Sequence, residues 1–156
     1  MYRLRVLGVG KGGEEFIKAG VAHYRQRIRP FAALDWVEIK PAAHAGKNTA
    51  LAQREEGTEI LRRIKPEDWL VALDERGDTL TTRQWAQWME NLQREGHSPT
   101  FVIGGAYGLD PAVKSRANRM LSLSALTLPH QLVRIVLLEQ LYRVLTLMAG
   151  HQYHHD

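Results

Sequence analysis

The stretch Ser122-Leu123-Ser124-Ala125-Leu126-Thr127-Leu128-Pro129-His130 decides how the chain is read. With Leu121, its first residues have the composition of a short buried strand, and from His130 to about Ala149 a helical pattern follows, closed by Gly150. What lies between cannot be regular. Proline disfavours helical backbone at Leu128, so the donors and acceptors of Ser124 to Leu128 have no ladder to join. A bound ligand could satisfy them.

Downstream, Leu132, Val133, Ile135, Val136, Leu137, Leu138, Leu141, Val144 and Leu145 exceed one apolar stripe, so the last helix must be buried on more than one side. Arg134, Glu139 and Arg143 interrupt this run, which argues against a membrane span. Upstream, strand and helix patterns alternate. Strands are expected at Arg3 to Val9, Leu34 to Ile39, Trp69 to Leu73, Thr100 to Ile103 and Leu121 to Ser124. Helices are expected from Glu14 to about Ile28, Thr49 to Ile64, Thr82 to about Glu95 and Pro111 to about Arg119. Asp74 to Asp78 reads as a polar turn around Gly77, and Pro41, Gly46 and Lys47 as a loop. Thr81 to Gln84 has capping-box spacing, and Asp110-Pro111 supplies an N-cap residue and a first-turn proline. This alternation predicts an α/β domain spanning 1–156, with a mostly parallel sheet and helices on both faces.

The 156 residues suit one domain, and the absence of cysteine excludes a disulfide framework, a thiolate nucleophile and a thiolate zinc site. The alternating start, Met1 to Val6, reads as a strand and not as a signal peptide, so the cytoplasm is the expected compartment. The net charge of +4 and a pI near 9.6 suit an anionic partner. Residues 1 to 47 concentrate that charge, with nine Lys or Arg against four acids. A solvated helix face and a phosphate-contacting face explain Arg25 to Arg29 equally well.

Two glycine-rich turns compete as sites. Gly8-Val9-Gly10-Lys11-Gly12-Gly13 matches G-x-G-x-x-G between a strand and a helix, the setting of a dinucleotide fingerprint. A ribose-binding acid should then end the second strand, where Asp35 is too early and Glu38 is the remaining candidate; an ordinary strand-to-helix turn fits better. Ile103-Gly104-Gly105-Ala106-Tyr107-Gly108 follows the fourth strand, where ligands of open α/β sheets bind, and lacks the Lys-Ser or Lys-Thr of a P-loop. The tail Gly150-His151-Gln152-Tyr153-His154-His155-Asp156 has metal-ligand residue types without a scaffold, so acid–base work or RNA contact is the better expectation and no metal is assigned.

Together these segments resemble the SPOUT superfamily of methyltransferases, and within it the RlmH branch, the large-subunit ribosomal RNA pseudouridine N3-methyltransferases. The resemblance covers essentially the whole chain. It is carried by Val9-Gly10-Lys11, Tyr24 to Arg27, Leu73-Asp74 with Gly77, Ile103-Gly104-Gly105 with Gly108-Leu109, Ser122 to Arg134, Glu139 to Arg143, and Tyr153-His154. Small departures are Val144, where alanine is common, and the final His155-Asp156.

The resemblance implies a C-terminal trefoil knot, a homodimer packed through helices near it, and S-adenosyl-L-methionine as cofactor. Carried over residue by residue, the cofactor would be held by Leu73, by Gly104 and Gly105, and by Leu123, Ser124, Ala125, Leu126, Thr127 and Leu128. Arg143, Tyr153 and His154 would lie near the reacting base, with the tail able to come from either subunit. The implied substrate is a pseudouridine in helix 69 of 23S ribosomal RNA within the assembled 70S ribosome. A nicotinamide or flavin protein and a non-catalytic ribosome-associated factor are the competing readings.

Overall fold

The computed structural model describes residues 1–43 and 47–156; Gly46 of the expected loop lies outside them. Five strands, β1 (Tyr2–Val9), β2 (Ala32–Ile39), β3 (Trp69–Thr79), β4 (Pro99–Ile103) and β5 (Arg119–Ser122), alternate with five helices. The helices are α1 (Glu15–Ile28), α2 (Thr49–Arg62), α3 (Thr82–Arg94), α4 (Pro111–Arg116) and α5 (His130–Met148). The sheet order is β2-β1-β4-β3-β5, and every adjacent pair is parallel, so the mostly parallel sheet of the sequence reading is wholly so.

Alternation along the strands divides the core. Leu4, Val6, Val71, Phe101 and Ile103 point to a layer formed by α1, α3 and α5, and Leu7, Val9, Leu70, Ala72 and Val102 to the layer of α2 and α4. β4 is buried at every residue, as a central parallel strand must be when both faces are covered. Local signals start the helices as expected. Thr81 and Gln84 form a reciprocal capping box on α3, Asp110 accepts the Ala112 amide on α4, and Asn48 caps α2 through the Leu51 amide.

Two boundaries differ from the sequence reading for one reason. Asp74 to Asp78, expected as a turn, belongs to β3, which runs on to Thr79. Leu121 pairs with both Leu73 and Asp78, so the strand leaves β5, bulges through its polar residues and returns. Gly77 makes this possible: a Cβ there would come within 2.6 Å of the Met120 and Leu121 backbone. Leu73 accordingly lies within β3, not at its end. The same pairing draws β5 back to Arg119, and Leu123 and Ser124 fall in the following loop.

From the β5 edge the chain must reach α5, which packs between α1 and α3. With strands about 4.8 Å apart, it passes roughly 14 Å across the C-terminal ends of β3 and β4. Gly20 of α1 admits α5 closely, since a Cβ at that position would meet Ile135 Cδ1 at 2.6 Å. The end of the crossing is fixed by Arg134. Its guanidinium is 1% exposed, donates to the Val9 and Gly10 carbonyl oxygens at 3.1 and 2.7 Å, and lies 3.6 Å from Glu38. Burial lowers the Arg134 pKa from its ordinary value, and Glu38 opposes that shift.

Glu38 also accepts the Gly12 amide at 3.2 Å, and Gly10, Gly12 and Gly13 all have positive φ. The acid that a dinucleotide fingerprint would use for ribose thus bonds its own turn, and Gly8 to Gly13 lead from β1 into α1. Arg134→Met should lower stability by about 3 kcal/mol, because two buried carbonyls and a carboxylate lose their partner. The midpoint of urea unfolding measures it; a loss under about 1 kcal/mol would mean that the glycine turn holds itself.

Candidate active site

At the C-terminal ends of the central strands lies a cavity of about 840 Å³, of a size that takes a small organic ligand. Its walls come from segments far apart in sequence: Leu73 to Arg76, Ile103 to Leu109, and Leu121 to Pro129, with His130 and Val133 of α5. Of the residues expected at a cofactor site, Leu73, Gly104, Gly105, Leu123, Ser124, Leu126, Thr127 and Leu128 line it. Ala125 belongs to the same loop without lining the cavity.

Side chains set the shape of these loops. Ser122 Oγ donates to the Ser124 carbonyl at 2.8 Å, and Ser124 Oγ accepts the Leu126 amide at 2.9 Å. No strand pairing runs through Ser124 to Leu128, as Pro129 predicted. Thr127 donates to Glu75 at 3.2 Å, tying the loop after β5 to the bulged part of β3, and Gln53 of α2 donates to the Tyr107 carbonyl at 2.8 Å, holding the loop after β4, Gly104 to Leu109. Leu126 is 73% exposed at the rim.

The glycines of the loop after β4 are needed for a reason other than ligand approach. A Cβ on Gly104 would lie 2.8 to 3.0 Å from the backbone of Gly108 and Leu109; one on Gly105 would lie 3.1 Å from Glu56 Oε1 and 3.2 Å from Val9 Cγ1. Both face protein. The loop folds back on itself through the Gly105–Gly108 bridge, and Glu56, only 6% exposed, closes it from behind. Glu56 accepts the Ala42 amide at 3.1 Å, while its Oε1 has no hydrogen-bond partner among the described residues.

Several polar side chains of this cavity were not singled out by sequence. Lys114 pairs with Asp74 at 2.8 Å, and the Arg76 amide donates to the same carboxylate at 2.8 Å. Burial pushes Asp74 up, yet these two donors prevail and its pKa lies below the usual value. His130 is shifted down, first by burial and then by the Arg134 charge. Only the topology brings Asp74, Lys114 and His130 together, so spacing along the chain gave no signal.

Arg143, Tyr153 and His154 do gather, but elsewhere. Arg143 donates to Glu139 at 2.6 and 3.1 Å, Tyr153 donates to Glu139 at 3.3 Å, and Arg143 lies 3.4 Å from His154 Nδ1. Because arginine can only donate, His154 Nδ1 is the accepting nitrogen; Nε2 then donates to Asp156 at 2.8 Å. Asp156 in turn pairs with Arg83 of α3. The Tyr153 ring lies between two guanidiniums, Arg143 at 4.8 Å and Arg27 at 5.3 Å, and 4.6 Å from the Tyr142 ring. Burial, then Glu139 and Tyr24, raises the Tyr153 pKa, keeping it a donor. Glu139, which the sequence showed as an interruption of an apolar run and as part of a family motif without a role, is the hub.

Within one chain the two groups stay apart. From Val133 at the cavity to Arg143 is roughly 15 Å of helix, and none of Arg143, Tyr153 or His154 lines the cavity. Among the described residues no cluster of three or more His, Asp or Glu could hold a metal ion, and no helix is long and apolar enough to cross a membrane.

A parallel sheet covered on both faces, with a ligand-sized cavity at the C-terminal ends of β3, β4 and β5, is the architecture of an α/β ligand-binding domain. The family model described as predicted SPOUT methyltransferase matches residues 2–154, and the chain belongs to that family. Along 99% of both chains it is 46% identical to the ribosomal RNA large subunit methyltransferase H of Thiobacillus denitrificans. It is 41% identical to the protein of that name from Ralstonia nicotianae, over 97% of this chain and 98% of the relative. The counterpart from Nitratidesulfovibrio vulgaris is 40% identical over the full length of both. The resemblance read from Ser122 to Arg134 and the flanking motifs is borne out.

Two outcomes follow from the loop geometry and from His130. Gly104→Ala should cost about 2 kcal/mol or more, because backbone cannot yield, and Gly105→Ala less, because it meets side chains; equal melting temperatures for the two variants would contradict this. A histidine whose folded-state pKa lies below its unfolded value keeps its full contribution above the unfolded pKa near 6.5. That contribution is lost as pH falls through this value, because the unfolded chain binds the proton more readily. Denaturation series between about pH 7.5 and pH 5 should therefore show a shallower acid-side decline for His130→Gln than for the parent.

Proposed function

We propose that this protein is an S-adenosyl-L-methionine-dependent methyltransferase acting on large-subunit ribosomal RNA, specifically on N3 of a pseudouridine in helix 69 of 23S RNA within the assembled 70S ribosome. The observation that carries this reading is the cavity at the C-terminal ends of β3, β4 and β5, in a chain whose full-length relatives bear the name ribosomal RNA large subunit methyltransferase H. The residues fit the cofactor. Leu73, Gly104, Gly105 and Leu123 to Leu128 offer irregular backbone and apolar walls, and Asp74 with Lys114 offers a charge pair to a zwitterionic amino acid. When bound, S-adenosyl-L-methionine supplies an activated methyl group on sulfur.

The chain's own residues must then hold the acceptor nitrogen in line and remove its proton. Tyr153, held protonated beside Glu139, suits donation to a base oxygen; His154 is the better proton acceptor, through Nδ1 once Arg143 turns away from it. Arg143 is placed to balance negative charge that develops on the base. With roughly 15 Å of helix between cavity and cluster, a homodimer in which the tail of one protomer meets the cavity of the other accounts for both. In this reading the crossing from β5 to α5 is threaded beneath the loops after β3 and β4 as a trefoil knot, and the enzyme works in the cytoplasm.

Transfer of labelled methyl to ribosomes from a strain lacking this protein tests the activity, and mass spectrometry of the digested RNA identifies base and atom. His154→Ala should reduce turnover by about 100-fold or more while cofactor affinity, measured by calorimetry, stays unchanged. A mixed dimer of His154→Ala and a chain weakened in cofactor binding by Lys114→Ala, at the charge pair offered to the amino acid, should regain part of the activity if the tail acts across the dimer. No recovery would place the tail in its own subunit's site.

A further inference from the structure

The opposite, N-terminal end of the sheet carries a second, larger cavity of about 1060 Å³. Its lining includes Arg3 of β1, Arg25, Gln26 and Arg29 of α1 and its C-terminus, and Ser98 just before β4. The three guanidiniums are exposed, and among the described residues no carboxylate pairs with them. Several other arginines do pair with carboxylates: Arg62 and Arg63 with Glu59, Arg83 with Asp156, Arg119 with Asp78 and Arg143 with Glu139. Two acids line this cavity as well, and each has a partner of its own. Asp35 is 3.2 Å from Arg5, whose Nη1 donates to the Arg63 carbonyl at 2.8 Å, and Asp68 accepts the Lys65 amide at 2.8 Å.

Three guanidiniums without carboxylate partners among the described residues line one concave surface with an amide and a hydroxyl, and they outnumber the two carboxylates there, Asp35 and Asp68. We propose that this cleft is a second RNA contact, which binds the phosphodiester backbone of the substrate away from the reacting base. The inference rests on the reading of RNA as substrate. Planar guanidiniums suit phosphate oxygens geometrically, and Gln26 and Ser98 add neutral donors. β1 is eight residues long, so the cleft lies roughly 25 Å from the cofactor cavity. A structured RNA of ribosomal size spans that distance, whereas a lone nucleotide does not. The cleft therefore contributes to holding substrate and not to the chemical step.

The test uses the full chain as an Arg3→Gln/Arg25→Gln/Arg29→Gln triple variant, whose exposed positions leave the core intact. Three lost phosphate contacts should raise KM for ribosomes on the order of 100-fold at about 0.1 M salt, and reduce the slope of log affinity against log salt by roughly 2 to 3. The kcat at saturating ribosomes, calorimetric cofactor affinity and dimer mass should match the parent. Lysine at the same three positions should restore most of the affinity. Anisotropy of a fluorescent ribosomal RNA fragment gives an affinity that is independent of methyl transfer, so loss of the enzymatic reading and loss of the cleft are distinguishable. An unchanged salt slope, an equal loss at every salt concentration, or an altered dimer mass would each overturn the proposal, the last by making the cleft a contact between copies of the chain.

Discussion

One buried arginine holds the architecture in register. Arg134 enters from α5, packs beside Gly8 of β1, and binds the carbonyls of Val9 and Gly10 just where β1 gives way to its glycine turn. Moving a guanidinium out of water is costly, so the site tolerates it only because carbonyls and Glu38 surround it. The constraint acts on three parts at once. It fixes the start of α5, shapes the turn into α1, and sets the end point of the crossing from β5 over the ends of β3 and β4. The cavity lies between that crossing and the segments that follow β4 and interrupt β3.

The loops around the cavity are shaped from behind by the protein. Gly104 lies on its own loop, Gly105 on Glu56 and Val9, and Gly77 on the backbone of β5. Each lacks a side chain because other protein atoms occupy that space. The surface left facing the cavity combines the main chain of these glycines with apolar side chains and with Asp74, Glu75, Arg76, Tyr107, Lys114 and His130 as its ionisable groups.

The sequence made much of this legible. Alternating apolar strands, the Thr81 to Gln84 capping box and Asp110-Pro111 marked the elements, because such signals act within a few residues. Pro129 marked the irregular crossing for the same reason. The continuation of β3 through Asp74 to Thr79 was hidden, since polar residues around a glycine look like a turn until Leu121 pairs with them twice. Arg134 was read as a break in an apolar helix, although its spacing from Leu137, Leu138 and Leu141 places it on the buried face. The Glu139 hub and the Asp74–Lys114 pair depend on contacts between distant segments. The sequence could name Arg143, Tyr153 and His154 only through family resemblance, and their distance from the cavity became visible only in three dimensions.

The glycine and irregular segments among the cavity's walls bear on how the protein could be inhibited. A compound that recognises side chains can be evaded by a single substitution, but one that follows the main chain of Gly104, Gly105 and the Ser124 to Leu128 crossing meets atoms common to every residue type. Changing those atoms' positions means displacing Gly108, Glu56 or the Ser122 and Ser124 hydroxyls, which hold the loops in shape. Resistance would then carry its own loss of fold. A ligand designed on this surface would trade selectivity among relatives for durability.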